Sequence, residues 1–89
     1  MIDVRQSNGF RRAYKRLNPN QKADVDDAVS AIVKDPTLGE AKKGDLDGVF
    51  VHKFQCVGSR FLLAYEYDPQ TRWLLLVGAH ENFHRDLKR

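Results

Sequence analysis

Apolar residues recur along this chain with two different periods, and the change between them divides it. Phe10, Ala13, Tyr14 and Leu17 fall at i, i+3, i+4 and i+7, and Val25, Ala28, Val29, Ile32 and Val33 repeat the helical stripe. Ser7 suits the N-cap of the first helix. Asn18-Pro19-Asn20-Gln21 reads as a sharp restart: Asn18 at the N-cap, Pro19 in the first turn, and Gln21 where a capping box wants Glu or Gln. Asp35-Pro36 ends the second helix, since the residue before proline avoids helical backbone. Two amphipathic helices joined this tightly predict an antiparallel hairpin.

Thr37 to Gly48 is polar, carries Gly39, Gly44 and Gly48, and reads as a loop. Beyond it the period becomes two. Val49–Val57, Arg60–Asp68 and Arg72–Ala79 are rich in β-branched and aromatic residues, with turns at Val57-Gly58-Ser59 and Asp68-Pro69-Gln70-Thr71. Ile2–Arg5 reads as a short opening strand. The expected fold is therefore α+β: an N-terminal strand, an antiparallel helix hairpin, a three-stranded antiparallel meander and a short C-terminal helix. Strict alternation puts Phe61, Leu63, Tyr65 and Tyr67, joined by Trp73, Leu75 and Val77, against the helices. Val49, Val51, Lys53, Arg60, Leu62, Ala64, Glu66, Arg72, Leu74, Leu76 and His80 then share the second face. That face is apolar in its centre and cationic at its margin, a surface suited to binding.

The 89 residues make one domain, 1–89, too short for a deep enclosed cavity, so any functional site should be a groove or an open face. A hydrophobic content of 42% with 30% charged residues fits an ordinary globular domain rather than a disordered chain. No apolar run reaches the roughly 18 residues of a membrane span, and the first residues lack a signal peptide's apolar segment. With one cysteine there is no internal disulfide framework, and a cytoplasmic location is expected. The net charge of +3 is unevenly spread. Arg5, Arg11, Arg12, Lys15 and Arg16 follow one another without an acidic residue, whereas Asp24, Asp26 and Asp27 cluster. The basic run is either a solvated helix face or a patch that meets phosphates or an acidic partner.

His80-Glu81-Asn82-Phe83-His84 spells the H-E-x-x-H pattern, in which two histidines one helical turn apart hold a zinc ion. A zinc hydrolase would need a third ligand. No His, Glu or Cys follows His84, Asp86 would point off the His80/His84 face, and Cys56 stands alone, so no metal site is assigned. Cys56 reads as a small buried hydrophobe, and His52 as an inward-facing neighbour of Phe50 and Phe54.

Three segments in this order resemble the RelE/ParE superfamily of bacterial type II toxins. They are Leu46-Asp47-Gly48-Val49-Phe50-Val51-His52-Lys53, Leu63-Ala64-Tyr65-Glu66-Tyr67, and Leu75-Leu76-Val77-Gly78-Ala79-His80. The resemblance spans essentially the whole chain. It implies a small cytoplasmic toxin neutralised by a cognate antitoxin, with no cofactor. RelE-type members cut mRNA in the ribosomal A site without metal; ParE-type members inhibit DNA gyrase. On the first reading Lys53 and Arg60 stabilise phosphate charge, His80 is the acid or base, and Phe83 or His84 contacts a base. Arg11, Arg12, Lys15 and Arg85 would meet RNA. The antitoxin would take the apolar centre of the second sheet face or the groove beside the basic first helix. One departure stands out: family nucleases usually carry Arg about three residues before the tyrosine matched by Tyr65, and Leu62 occupies that position. The rival readings are a non-enzymatic gyrase inhibitor and an inactive relative that only binds an antitoxin. The structural alternative for His80 is that it caps the C-terminal helix or bonds a neighbouring carbonyl.

Overall fold

The fold is that of a computed structural model, which describes residues 1–81 and 83. Strand β1 (Asp3–Gln6) leads into helices α1 (Asn8–Lys15) and α2 (Pro19–Lys34); strand β2 (Glu40–Ala41) follows, then β3 (Phe50–Cys56), β4 (Ser59–Tyr67) and β5 (Thr71–Ala79). The five strands form one sheet in the order β1-β5-β4-β3-β2. β1 runs parallel to β5 and the other pairs are antiparallel, so the sheet is mixed.

The helices begin where their capping residues stand. Ser7 Oγ accepts the Phe10 N–H at 3.0 Å and donates to the Leu75 carbonyl at 2.7 Å, so one hydroxyl starts α1 and ties it to β5. Asn18 and Gln21 exchange reciprocal bonds of 2.9 and 3.0 Å, completing the capping box of α2 around Pro19. At the other end Asp35 accepts from the backbone and hydroxyl of Thr37, which lowers its carboxyl below the usual range and starts a 3₁₀ turn at Pro36–Leu38.

The meander matches the predicted strands to within two residues, but the faces of β5 do not follow simple alternation. Its pairing with β4 slips between Ala64↔Leu76 and Tyr65↔Leu74, leaving Leu75 as an extra residue. This bulge reverses the alternation before it. Arg72 and Leu74 therefore turn toward the helices, while Trp73 faces the other way and is 37% exposed. Leu75 joins Leu76 on the second face, and Val77 lies in the helix-side core. The expectation that Trp73 and Leu75 meet the helices, with Arg72 and Leu74 opposite, is corrected accordingly. Arg72 is 4% exposed. It donates to the carbonyls of Ile32 (3.3 Å) and Val33 (3.2 Å) at the end of α2, and to those of Asp68 (2.7 Å) and Thr71 (3.2 Å). The guanidinium thus closes the C-terminus of a helix rather than meeting solvent.

The polar stretch read as a loop also differs. Glu40 and Ala41 pair with Val51 and Phe50, making the fifth strand, and Gly44–Leu46 forms a second 3₁₀ turn. A strand of two exposed residues has no side-chain period by which to recognise it. The nearby Pro36–Gly39 segment is locked by Tyr65, which is wholly buried. Its hydroxyl donates to the Pro36 carbonyl at 2.6 Å and accepts the Gly39 N–H at 2.9 Å. A Cβ on Gly39 would lie 2.6 Å from that oxygen, so the close approach requires glycine. Tyr65→Phe should cost about 1–3 kcal/mol by leaving both backbone groups without their partner, measured by urea unfolding; the retained ring keeps packing constant.

β3 and β4 join through Val57 and Gly58, whose φ angles of 49° and 81° are both left-handed, as a tight hairpin of right-twisted strands demands. Gly58 adopts this freely. Val57 does not, because a β-branched side chain crowds the backbone there. The Val57 N–H donates to Asp24 at 2.9 Å, which anchors the turn to α2. Val57→Asn should therefore stabilise the fold by about 1 kcal/mol, raising Tm by roughly 4–8 °C in a scanning calorimeter.

The sheet has a core on each side. Phe10, Val25, Ala28, Ile32, Cys56, Phe61, Leu63, Tyr65, Leu74 and Val77 fill the space beneath the helices. Val49, Val51, Leu62, Ala64 and Phe83 form a second core on the opposite face. Of the predicted C-terminal helix, His80, Glu81 and Phe83 are helical; the remainder lies outside the described residues.

Candidate functional site

Sheet register assembles the candidate residues at one end of the meander. Lys53 pairs with Leu62, which pairs in turn with Gly78, so the three form a row across β3, β4 and β5. Arg60 pairs with Gln55 one row nearer the hairpin. Ala79 pairs with Phe61, and His80 follows directly as the strand gives way to helix. Lys53, Leu62 and Arg60 share the second face, because they alternate with residues of the helix-side core. Lys53, Arg60 and His80 are all exposed.

Lys53 and Arg60 line an open hollow of about 360 Å³ with Phe54 and Gln55. Among the described residues no carboxylate pairs with either cation. Two uncommitted positive charges beside one hollow make a site for an anion, and a guanidinium and an ammonium together suit a phosphate oxygen pair. Gly78 adds no side chain to the row, and a Cβ there would meet nothing within 4 Å among the described residues. Leu62, the departure noted above, is wholly buried between Lys53 and Gly78. It forms part of the apolar floor, and a charged side chain could not occupy its place without unseating that core.

Phe83 is corrected. It is 1% exposed, packed on Val49, Val51, Leu62 and Ala64, and cannot stack on a base. The same ring, with Leu46 at the rim, covers the apolar centre of the second face, which is therefore a core and not an open antitoxin surface. The physical reason is that four apolar residues on one sheet face cannot remain wet when the following helix carries a phenylalanine that reaches them.

Arg11, Arg12 and Lys15 are exposed on α1, as the spacing of its buried stripe requires. They line a different groove of about 520 Å³, with Gln6, Asn8, Tyr14 and Lys22. They belong to the helix side of the sheet and do not join Lys53 and Arg60. Sequence reading missed Lys22, which the helix hairpin swings over the Tyr14 ring at 5.4 Å. Tyr14 donates to Asp26 at 2.8 Å, and this bond pushes the phenol above its usual range. His84 and Arg85 lie outside the described residues.

The remaining polar candidates are structural. His52 is half-buried and stacked on Phe54 at 6.0 Å, and burial holds its imidazole below the usual range. Cys56 is buried with its thiol 3.6 Å from the Gln21 carbonyl; burial, then the Asp24 charge, pushes the thiol up, the reverse of what a nucleophile needs. Among the described residues no three His, Cys, Asp or Glu side chains come together as a metal cage would require. No described helix is long and apolar enough to cross a membrane.

Solved structures share this fold. The toxin–antitoxin complex RelBE2 of Mycobacterium tuberculosis contains a chain 24% identical to this one, with a TM-score of 0.75 over 89% of this chain and 98% of that one. A chain of the intact RelBE complex of Escherichia coli is 12% identical, with a TM-score of 0.69 over 89% and 96%. The YoeB/ParE toxin of Agrobacterium tumefaciens is 16% identical, with a TM-score of 0.69 over 89% and 99%. No curated protein sequence matches the chain. At the level of sequence, residues 4–88 match the family described as ParE-like toxin of type II bacterial toxin–antitoxin system. That match takes in both helices, the candidate site and all of the sheet but Asp3, and by it the chain belongs to the ParE-like toxins of type II toxin–antitoxin systems.

Proposed function

We propose that this toxin arrests translation by cutting mRNA on the ribosome, with the end of the sheet at Lys53, Arg60 and His80 as its active site. The observation that carries the reading is that Lys53 and Arg60 share one open hollow and have no carboxylate partner among the described residues, with the exposed His80 following directly on the strand paired to β4. RNA supplies its own nucleophile. The 2′-oxygen forms a bond to the adjacent phosphorus while the bond from phosphorus to the 5′-oxygen breaks, leaving a 2′,3′-cyclic phosphate and a free 5′-hydroxyl. One proton leaves the 2′-hydroxyl and one reaches the departing oxygen. His80 handles one of these transfers, since an imidazole can both accept and donate a proton. Lys53 and Arg60 hold the non-bridging oxygens, where charge builds in the transition state. The step as written uses no metal ion.

The basic α1 groove serves a second contact. Arg11, Arg12, Lys15 and Lys22 would grip either ribosomal phosphate or an acidic segment of the cognate antitoxin. The named neighbours include toxin–antitoxin complexes, which supports an antitoxin partner here. With the apolar centre of the second face filled by Phe83, this groove is the stronger candidate for that partner.

The test is controlled expression in cells followed within minutes by mapping of mRNA 5′ ends. New cuts at regular positions within translated codons support the reading. Growth arrest without such cuts would overturn it in favour of gyrase inhibition, to be checked by plasmid supercoiling. Absence of arrest would leave an antitoxin-binding relative without activity.

A further inference from the structure

We propose that Phe83 is the positioning residue that fixes His80 beside the Lys53–Arg60 hollow, a role that rests on the cleavage reading above. Strand pairing holds β5 as far as Ala79, opposite Phe61. His80 follows Ala79, where that ladder gives way to the first helical turn. What returns this turn to the sheet is Phe83, three residues later and on the same side of a helix as His80. Its ring is 1% exposed, seated on Val49, Val51, Leu62 and Ala64.

The seat and the site share residues. Leu62 supports the ring from below and is the cross-strand partner of Lys53; Arg60 stands two residues before it on the same strand face. The apolar contact that anchors the histidine turn is thus built into the strand that presents the two cations. A misplacement of about 1 Å in a catalytic group can cost about 100-fold in rate. Burial of a phenylalanine gives the turn a fixed seat, whereas an exposed helix end frays.

The test uses the full chain with Phe83→Leu, Phe83→Ala and, as a control for general loss of stability, Val25→Ala in the helix-side core. Val25 is wholly buried but lies on α2, away from the site. Each variant is followed by thermal unfolding, by the His80 ring signals in NMR spectra, and by cleavage on programmed ribosomes. Phe83→Leu should stay folded, lower kcat by about 10- to 100-fold with little change in KM, and move the His80 ring signals toward those of an unstructured histidine. Val25→Ala should lower Tm comparably and change neither. The proposal is overturned if Phe83→Leu keeps wild-type kcat and His80 signals, or if Val25→Ala loses kcat equally. Should Phe83→Ala unfold, the leucine variant decides. Should the wild type fail to cleave, the cleavage reading falls, and the His80 signals alone decide the positioning role: displaced in Phe83→Leu but not in Val25→Ala supports it, unchanged in both overturns it.

Discussion

Replacing Arg72 by methionine should lower the unfolding free energy by about 3 kcal/mol, the expected cost of stripping a buried charged donor from its acceptors. The guanidinium is 4% exposed and is held by four carbonyls rather than by a carboxylate. Two of these belong to Ile32 and Val33 in the last turn of α2, where unpaired carbonyls and the negative end of the helix dipole both favour a cation. The other two come from the β4–β5 turn, so one side chain joins a helix end to a hairpin. The Tyr67 ring lies 5.6 Å from the guanidinium carbon and adds a cation–π contact. Methionine keeps the apolar stem but satisfies none of the carbonyls. In a domain of this size the loss corresponds to roughly 12–24 °C in Tm. Arg72→Lys should recover only part of it, because an ammonium cannot span the four acceptors as a planar fork does. A change below about 1 kcal/mol would mean that water replaces the guanidinium at the helix end.

His80→Ala should reduce the single-turnover cleavage rate on programmed ribosomes by about 10²- to 10⁴-fold, the usual contribution of a positioned acid or base. Binding of the toxin to the ribosome should change much less, because an exposed imidazole contributes little to it. Lys53→Ala and Arg60→Ala should each lower the rate by about 10- to 1,000-fold through lost phosphate stabilisation. The double variant should lose less than the product of the two single effects if both cations act on one phosphate. Alanine substitutions at Arg11, Arg12 or Lys15 belong to another class: they should weaken binding and flatten its dependence on salt while leaving the bound rate nearly intact. A His80→Ala protein that cleaves at the wild-type rate would remove His80 from the mechanism.

Much of this fold was legible because the signals were local. Ser7, Asn18, Pro19 and Gln21 act on backbone groups within three residues, so the caps of both helices follow directly from the sequence. Alternation in β3 and β4 correctly divided Phe61, Leu63 and Tyr65 from Leu62 and Ala64. It failed in β5 because a bulge is a property of two strands, and nothing in Trp73-Leu74-Leu75-Leu76 marks which leucine is the extra one. Three consecutive leucines suit either face. The candidate site was partly legible for the same reason. Lys53 and Arg60 meet because they lie on a regular hairpin, whereas Phe83 and the α1 cations depended on how separate elements pack. The family resemblance offered Phe83 as a base-contacting group; the apolar patch beneath it makes it core. Lys22 had no local signal, since only the bend between the helices brings it to Tyr14.

The parallel pairing of Asp3–Gln6 with Thr71–Leu74 has a consequence for the birth of the protein. During synthesis β1 emerges several seconds before β5, the strand it pairs with among the described residues, at ordinary elongation rates of roughly 5–20 residues per second. A nascent chain that has released only its helix hairpin and first meander strands has neither a finished sheet nor the histidine turn. A chain that stops short of Thr71 leaves β1 without the strand it pairs with, and the sheet stays unclosed. Strand order thus makes completion of the sheet a late event in synthesis.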